Sequence, residues 1–141
     1  GLGIPADPLF RSRDNEKIVT VWKYGDAEFD LNLASADDYE AYNDALKVFD
    51  EGSVTEPEND REVVRAYCNT FREFFDRLFG EGASLKLFGA KDNSMDMEDA
   101  YMSLVGFADT QVKAINARRL RMTGKHHGNR PPSYYRKHKN R

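Results

Sequence analysis

Residues 63–79 constrain the fold of this chain more than any other stretch. Val63, Val64, Tyr67, Cys68, Phe71, Phe74, Phe75, Leu78 and Phe79 recur at i, i+1, i+4, i+5, i+8, i+11, i+12, i+15 and i+16. An α-helix brings those positions onto one side, as a continuous apolar stripe of about four and a half turns. Arg61, Glu62, Arg65, Arg72, Glu73, Asp76 and Arg77 cover the other side. Fully burying each large side chain contributes roughly 1.5–3 kcal/mol, so this helix is expected to anchor the core. Gly80-Glu81-Gly82 terminates it.

The elements around it follow from local signals. Ile18, Val19, Thr20, Val21, Trp22 and Tyr24 form a β-branched and aromatic run that Gly25-Asp26 breaks. Phe29, Leu31 and Leu33 then alternate with Glu28, Asp30 and Asn32, so the two runs predict a β-hairpin with its second strand buried on one face. A lone hairpin is marginal in water and must pack on something helical. Ser35 starts a first helix, with Asp38 as a shortened capping-box partner. Tyr39, Tyr42, Ala45, Leu46 and Phe49 make its apolar face, while Asp37, Glu40, Asn43, Asp44 and Lys47 face water, and Gly52 ends it. The central helix starts either at Thr55 and Glu58 around Pro57, or at a cap formed by Asn59 and Asp60.

Leu85, Leu87 and Phe88 lie between Gly82 and Gly89 and predict one or two helical turns. Asn93 or Ser94 caps a last long helix with the apolar face Met97, Tyr101, Leu104, Val105, Ala108, Val112 and Ile115. Arg118, Arg119 and Arg121 extend it as a basic stem, with Leu120 and Met122 between them, until Gly124 breaks it. The main helices are thus expected around 36–50, 58–80 and 94–122. The fold class is α+β and mostly helical: an N-terminal β-hairpin packed on three main helices, followed by a flexible basic C-terminal tail. Residues 1–16 read as a flexible leader, 17–122 as a single domain, and 123–141 as a disordered basic tail too polar to fold alone.

Composition limits the functional classes. A chain of 141 residues with 40% hydrophobic and 12% aromatic residues suits one domain with a real core. One cysteine, Cys68, excludes an intramolecular disulfide and a CxxC metal pattern. No apolar run approaches the roughly 20 residues that span a bilayer. Gly1-Leu2-Gly3-Ile4-Pro5 has no signal-peptide layout, and a tag scar or a trimmed start would explain the missing Met. A soluble, cytoplasmic protein without membrane contact is expected.

The charge is divided unevenly. Residues 1–109 hold all 24 acidic residues against 11 Lys and Arg, a net −13; residues 110–141 hold ten Lys and Arg and no acid. Charge on this scale, without a catalytic constellation beside it, suggests a binding protein more than an enzyme. His126 and His127 are adjacent, and adjacent side chains of an extended segment point to opposite faces. A metal site needs further ligands at suitable spacing, so no metal or cofactor is expected. Cys68 sits in the apolar stripe with no base nearby in sequence and reads as a packed thiol. Most carboxylates stand at helix starts, where they favour the macrodipole. Asp92-Asn93-Ser94-Met95-Asp96 begins like a calcium loop but lacks its later Gly and Glu. No catalytic residue is assigned.

The tail carries the candidate partner-binding residues: Arg118, Arg119, Arg121, Lys125, Arg130, Tyr134, Tyr135, Arg136 and Lys137. Basic groups interleaved with tyrosines can neutralise phosphates and stack on bases, so nucleic acid is one ligand the tail can take. An acidic protein partner is a second, and a solubilising tail without a ligand is a third.

Several segments also carry a family resemblance. Phe29-Asp30-Leu31-Asn32-Leu33 leads into Ala36-Asp37-Asp38-Tyr39-Glu40-Ala41-Tyr42; Phe74-Phe75-Asp76-Arg77-Leu78-Phe79-Gly80-Glu81-Gly82 follows, then Leu87-Phe88-Gly89 and Ile115-Asn116-Ala117-Arg118-Arg119. This order, over roughly residues 27–121, resembles small proteins found among the tail genes of phages and prophages of Gram-positive bacteria, similar to tail assembly chaperones. The resemblance implies a non-enzymatic assembly factor in the host bacterial cytoplasm, binding tape measure or tail tube protein. The charged ends would then serve to form a homo-oligomer or recruit partners.

Overall fold

Strands Val21–Tyr24 (β1) and Ala27–Asp30 (β2) pair antiparallel, with Trp22 opposite Phe29 and Tyr24 opposite Ala27. Of the two turn residues only Gly25 has a positive φ, +59°, the pattern of a type II′ turn that matches strand twist. The computed structural model describes residues 18–51 and 60–127. After the hairpin come Ala36–Leu46 (α1), Val48–Glu51 (α2), Asp60–Phe79 (α3), Ala83–Phe88 (α4) and Ser94–His127 (α5). The chain is mostly helical with an N-terminal two-stranded hairpin. Residues 19–111 form one compact unit; in the described chain, residues 18 and 112–127 belong to a second.

The core of the first unit is built on α3. Cys68, Phe71, Phe74, Phe75 and Leu78 are buried. Phe49 packs on Phe71 and Phe74, and Tyr101 packs on Phe49, Phe71 and Phe74. Met97, Ala100, Leu104 and Ala108 line the buried side of α5. Trp22 brings the hairpin in: its ring stacks with Phe75 and Phe79 of α3 and with Tyr24 and Phe29 on its own sheet face. Its indole Nε1 donates to Ser103 Oγ at 3.1 Å, which satisfies the one polar atom of a buried ring.

One buried polar side chain closes the unit. Gln111 accepts from the Leu33 backbone N–H at 2.8 Å and donates to the carbonyls of Val19 and Leu31, both at 2.6 Å. Both amide N–H donors and the amide oxygen are engaged, so its burial leaves no polar atom without a partner. It ties α5 to the segments on either side of the hairpin.

Four local expectations need correction. The first helix does not run from 36 to 50 in one piece. It breaks at Lys47, whose N–H bonds the Asp44 carbonyl in a tight turn, and α2 follows as a separate turn with Val48 buried. Asp38 is not a capping-box partner of Ser35: its carboxylate accepts from Asn32 N at 2.9 Å, and Ser35 makes no side-chain cap bond. Tyr39 is exposed, because the core lies toward Ala45 and Val48. Gly124 does not end α5, which continues to His127. A helical Gly costs only about 1 kcal/mol relative to Ala, and no proline lies nearer than Pro131. Of the alternatives for the α5 cap, Asn93 is the one used, with Oδ1 accepting from Met95 N and Asp96 N at 3.0 Å each. The leader, residues 52–59 with Gly52 and the competing α3 cap signals, and residues 128–141 lie outside the described residues.

Candidate partner-binding surfaces

The stripe of α3 has two fates. From Cys68 to Leu78 it is buried, but Val63, Val64 and Tyr67 are 37%, 42% and 43% exposed. They stand on the side of α3 that builds the core further along, so the apolar surface continues past the point where the described core ends. The Tyr67 hydroxyl donates to Glu98 of α5. Met95 and Met102 stand three residues before and four after Glu98, and thus share its side of α5. They are 70% and 62% exposed. Two helices therefore present apolar side chains around one polar contact. The hydrogen bond to Glu98, followed by burial, pushes the Tyr67 phenol up to about 12.

A polar framework holds this end of the unit in place. Arg72 Nε donates to Asp92 Oδ1 at 2.9 Å and Arg72 Nη2 to the Lys91 carbonyl at 2.7 Å, while Arg65 lies 3.5 Å from the other Asp92 oxygen. The Asp76 carboxylate accepts from the Ser84 backbone N–H at 2.8 Å and from its hydroxyl at 3.2 Å, which fixes α4 against α3. Arg77 bridges Glu51 and Glu73 at 2.8 and 2.7 Å and joins α2 to α3. Asp92 and Asp76 are thus bound to structural partners. Cys68 is buried, and its thiol is pushed up by desolvation first and by Asp92 second, against what a nucleophile requires.

Two of the concave features among the described residues are shallow. One, of about 310 Å³, lies between α2 and α3 and is lined by Val48, Glu51, Ala66, Asn69, Thr70 and Glu73. Another, of about 440 Å³, lies along α1 and is lined by Asp37, Glu40, Ala41, Asn43, Asp44 and Lys47. Among the described residues, no group of three or more His, Cys, Asp and Glu is placed to hold a metal ion. No described helix is long and apolar enough to cross a membrane.

The model of DUF6673, a family of unknown function, matches residues 25–140. The chain belongs to the DUF6673 family. No curated protein and no solved structure matches it.

In this DUF6673 member the residues singled out from sequence divide into two groups. Arg118, Arg119, Arg121 and Lys125 lie in α5, and residues 116–124 are all exposed. Arg118, Arg121 and Lys125 occupy i, i+3 and i+7, one side of the helix. Arg130, Tyr134, Tyr135, Arg136 and Lys137 lie outside the described residues. The exposed Val63, Val64 and Tyr67 were not among the candidates. Their periodicity is the same as that of the core, and no sequence signal separates the two.

Proposed function

We propose that this chain is a non-enzymatic assembly factor that holds an amphipathic helix of a partner protein against the exposed start of α3. One observation carries this reading: Val63, Val64 and Tyr67 continue the core stripe and yet stay exposed, and Tyr67 bonds Glu98, whose side of α5 also carries the exposed Met95 and Met102. A helix laid into such a surface, with anchors three and four residues apart, is a common mode of recognition, and methionines adapt to its shape. The resemblance to tail assembly chaperones supplies the partner, a phage tape measure or tail tube protein, with the host bacterial cytoplasm as the place of action. Coverage of aggregation-prone helices is the role such a surface would perform.

The test is co-expression with helical fragments of the tape measure protein. The chain should keep them soluble, and Val63→Asp with Val64→Asp should abolish that effect while leaving the fold intact. Fragments that precipitate equally with and without the chain would refute the reading. A tail tube gene upstream and a very long helical gene downstream would support it.

A second reading, a nucleic-acid-binding accessory protein, rests on the exposed Arg118 and Arg119. It requires affinity that falls with salt, roughly one unit of log–log slope per phosphate contacted. The net −13 of residues 1–109 opposes approach to a polyanion. Truncation after Thr123 that left binding unchanged would remove residues 124–141 as the contact.

A further inference from the structure

The exposed apolar face has a carboxylate in its middle. Glu98 is half-buried on α5 between the exposed Met95 and Met102, and it accepts the Tyr67 hydroxyl from α3. Among the described residues, no basic group forms an ion pair with Glu98. Arg65 and Arg72 of α3 both pair with Asp92 instead. Asp99, four residues after Met95 and three before Met102, is exposed on the same side of α5 and adds a second negative charge at the rim.

A helix laid across Tyr67, Met95 and Met102 takes Glu98 out of water. The phenol supplies one neutral hydrogen bond, whereas an ionised carboxylate has two oxygens that accept about four. Burying a charge with that single partner is costly unless a cation is buried with it, and a charge-assisted bond is roughly twice as strong as a neutral one. We propose that the helix held here carries a Lys or Arg within its apolar row, placed to pair with Glu98. This rests on the reading of the face as a helix-binding surface, and it specifies which helix the face takes. The net −13 of residues 1–109 draws a cationic helix toward the chain from a distance. The pair with Glu98 then decides where along that helix the chain sits. Every other alignment leaves the carboxylate covered and unpaired, so one charged group in an apolar row fixes the register.

The experiment is fluorescence anisotropy of the full chain with three labelled synthetic helical peptides that share one apolar row. The first has Lys in the middle of that row, and the second has norleucine there. The third also has norleucine there, with the Lys moved to its polar face, so its charge equals that of the first. The first should bind about tenfold more tightly than either of the others. In Glu98→Gln, which keeps an oxygen for the Tyr67 hydroxyl, that advantage should disappear. Equal binding of the first and third peptides would overturn the proposal, because overall charge would then account for the effect. Equal binding of all three would overturn it and leave the helix-binding face standing, as would an advantage that survives in Glu98→Gln. Binding of none, or binding that Val63→Asp with Val64→Asp leaves unchanged, would overturn the face and the proposal together.

Discussion

The two halves of α3 share one sequence pattern and differ in almost every other respect. From Cys68 to Leu78 the stripe is closed over by Trp22, Phe49, Phe88, Met97 and Tyr101. Val63, Val64 and Tyr67 belong to the same row and remain open to solvent. The hydrophobic driving force is the same per unit of area in both halves, so the difference lies in what surrounds them. Helical periodicity says which side of a helix is apolar. It does not say how far along that side the rest of the fold reaches. A stripe longer than its own core is therefore a place to look for a partner.

The comparison breaks most readily at the buried end. Phe74→Ala or Phe75→Ala should cost about 3–5 kcal/mol in urea unfolding, because each removes a side chain with no exposed area. A loss below about 1 kcal/mol would show that this half is not the core. Gln111→Leu should cost about 1–3 kcal/mol by the same measurement. It leaves the Leu33 N–H and the Leu31 carbonyl without their partner and loosens the hairpin from α5. A neutral result would mean that water or a shifted backbone replaces the amide.

Alkaline titration sharpens the contrast with a smaller effect. Tyr42 is pushed up to about 12, by burial first, and Tyr67 to about 12, by its bond to Glu98 first. Both folded values lie above the ordinary 10.0, so the neutral phenols stabilise the fold fully below about pH 10. That stability is lost as pH rises through about 12. Unfolding followed across this window should show a falling stability whose slope decreases in both Tyr42→Phe and Tyr67→Phe. An unchanged slope in Tyr67→Phe would deny the Glu98 contact. The smallest effect belongs to the open half: Val63→Ser with Val64→Ser should change stability by only about 0.5 kcal/mol per site. Loss of a helical partner in a pull-down with no loss of stability would establish the two halves as core and binding face.

Much of this fold was legible because its signals are local. The Gly25-Asp26 turn, the α3 stripe, the short helix between Gly82 and Gly89, and a cap at Asn93 or Ser94, of which the fold uses Asn93, each depend on a few neighbouring residues. The chain break at Lys47 was not legible, since α1 and α2 continue one helical pattern and Val48, just past the turn, is buried as that pattern allows. Gly124 misled for the opposite reason: a residue that often ends helices costs too little to stop this one. The candidate site was half legible. Basic residues announce themselves by charge, and Arg118, Arg119 and Arg121 are exposed as expected. The apolar face of α3 carries no mark of its own.

By itself the amino-acid sequence determined the class of the fold, the sides of its helices and the separation of charge between residues 1–109 and 110–141. Those properties follow from backbone propensity, periodicity and the count of ionised groups, all of which are written residue by residue. Tertiary structure alone decided that Gln111 is a buried clamp, that Arg72 and Asp92 are a structural pair, and that Val63, Val64 and Tyr67 stay open. Each of these depends on side chains from distant parts of the chain meeting at hydrogen-bonding or van der Waals distance, and no local pattern encodes where they meet.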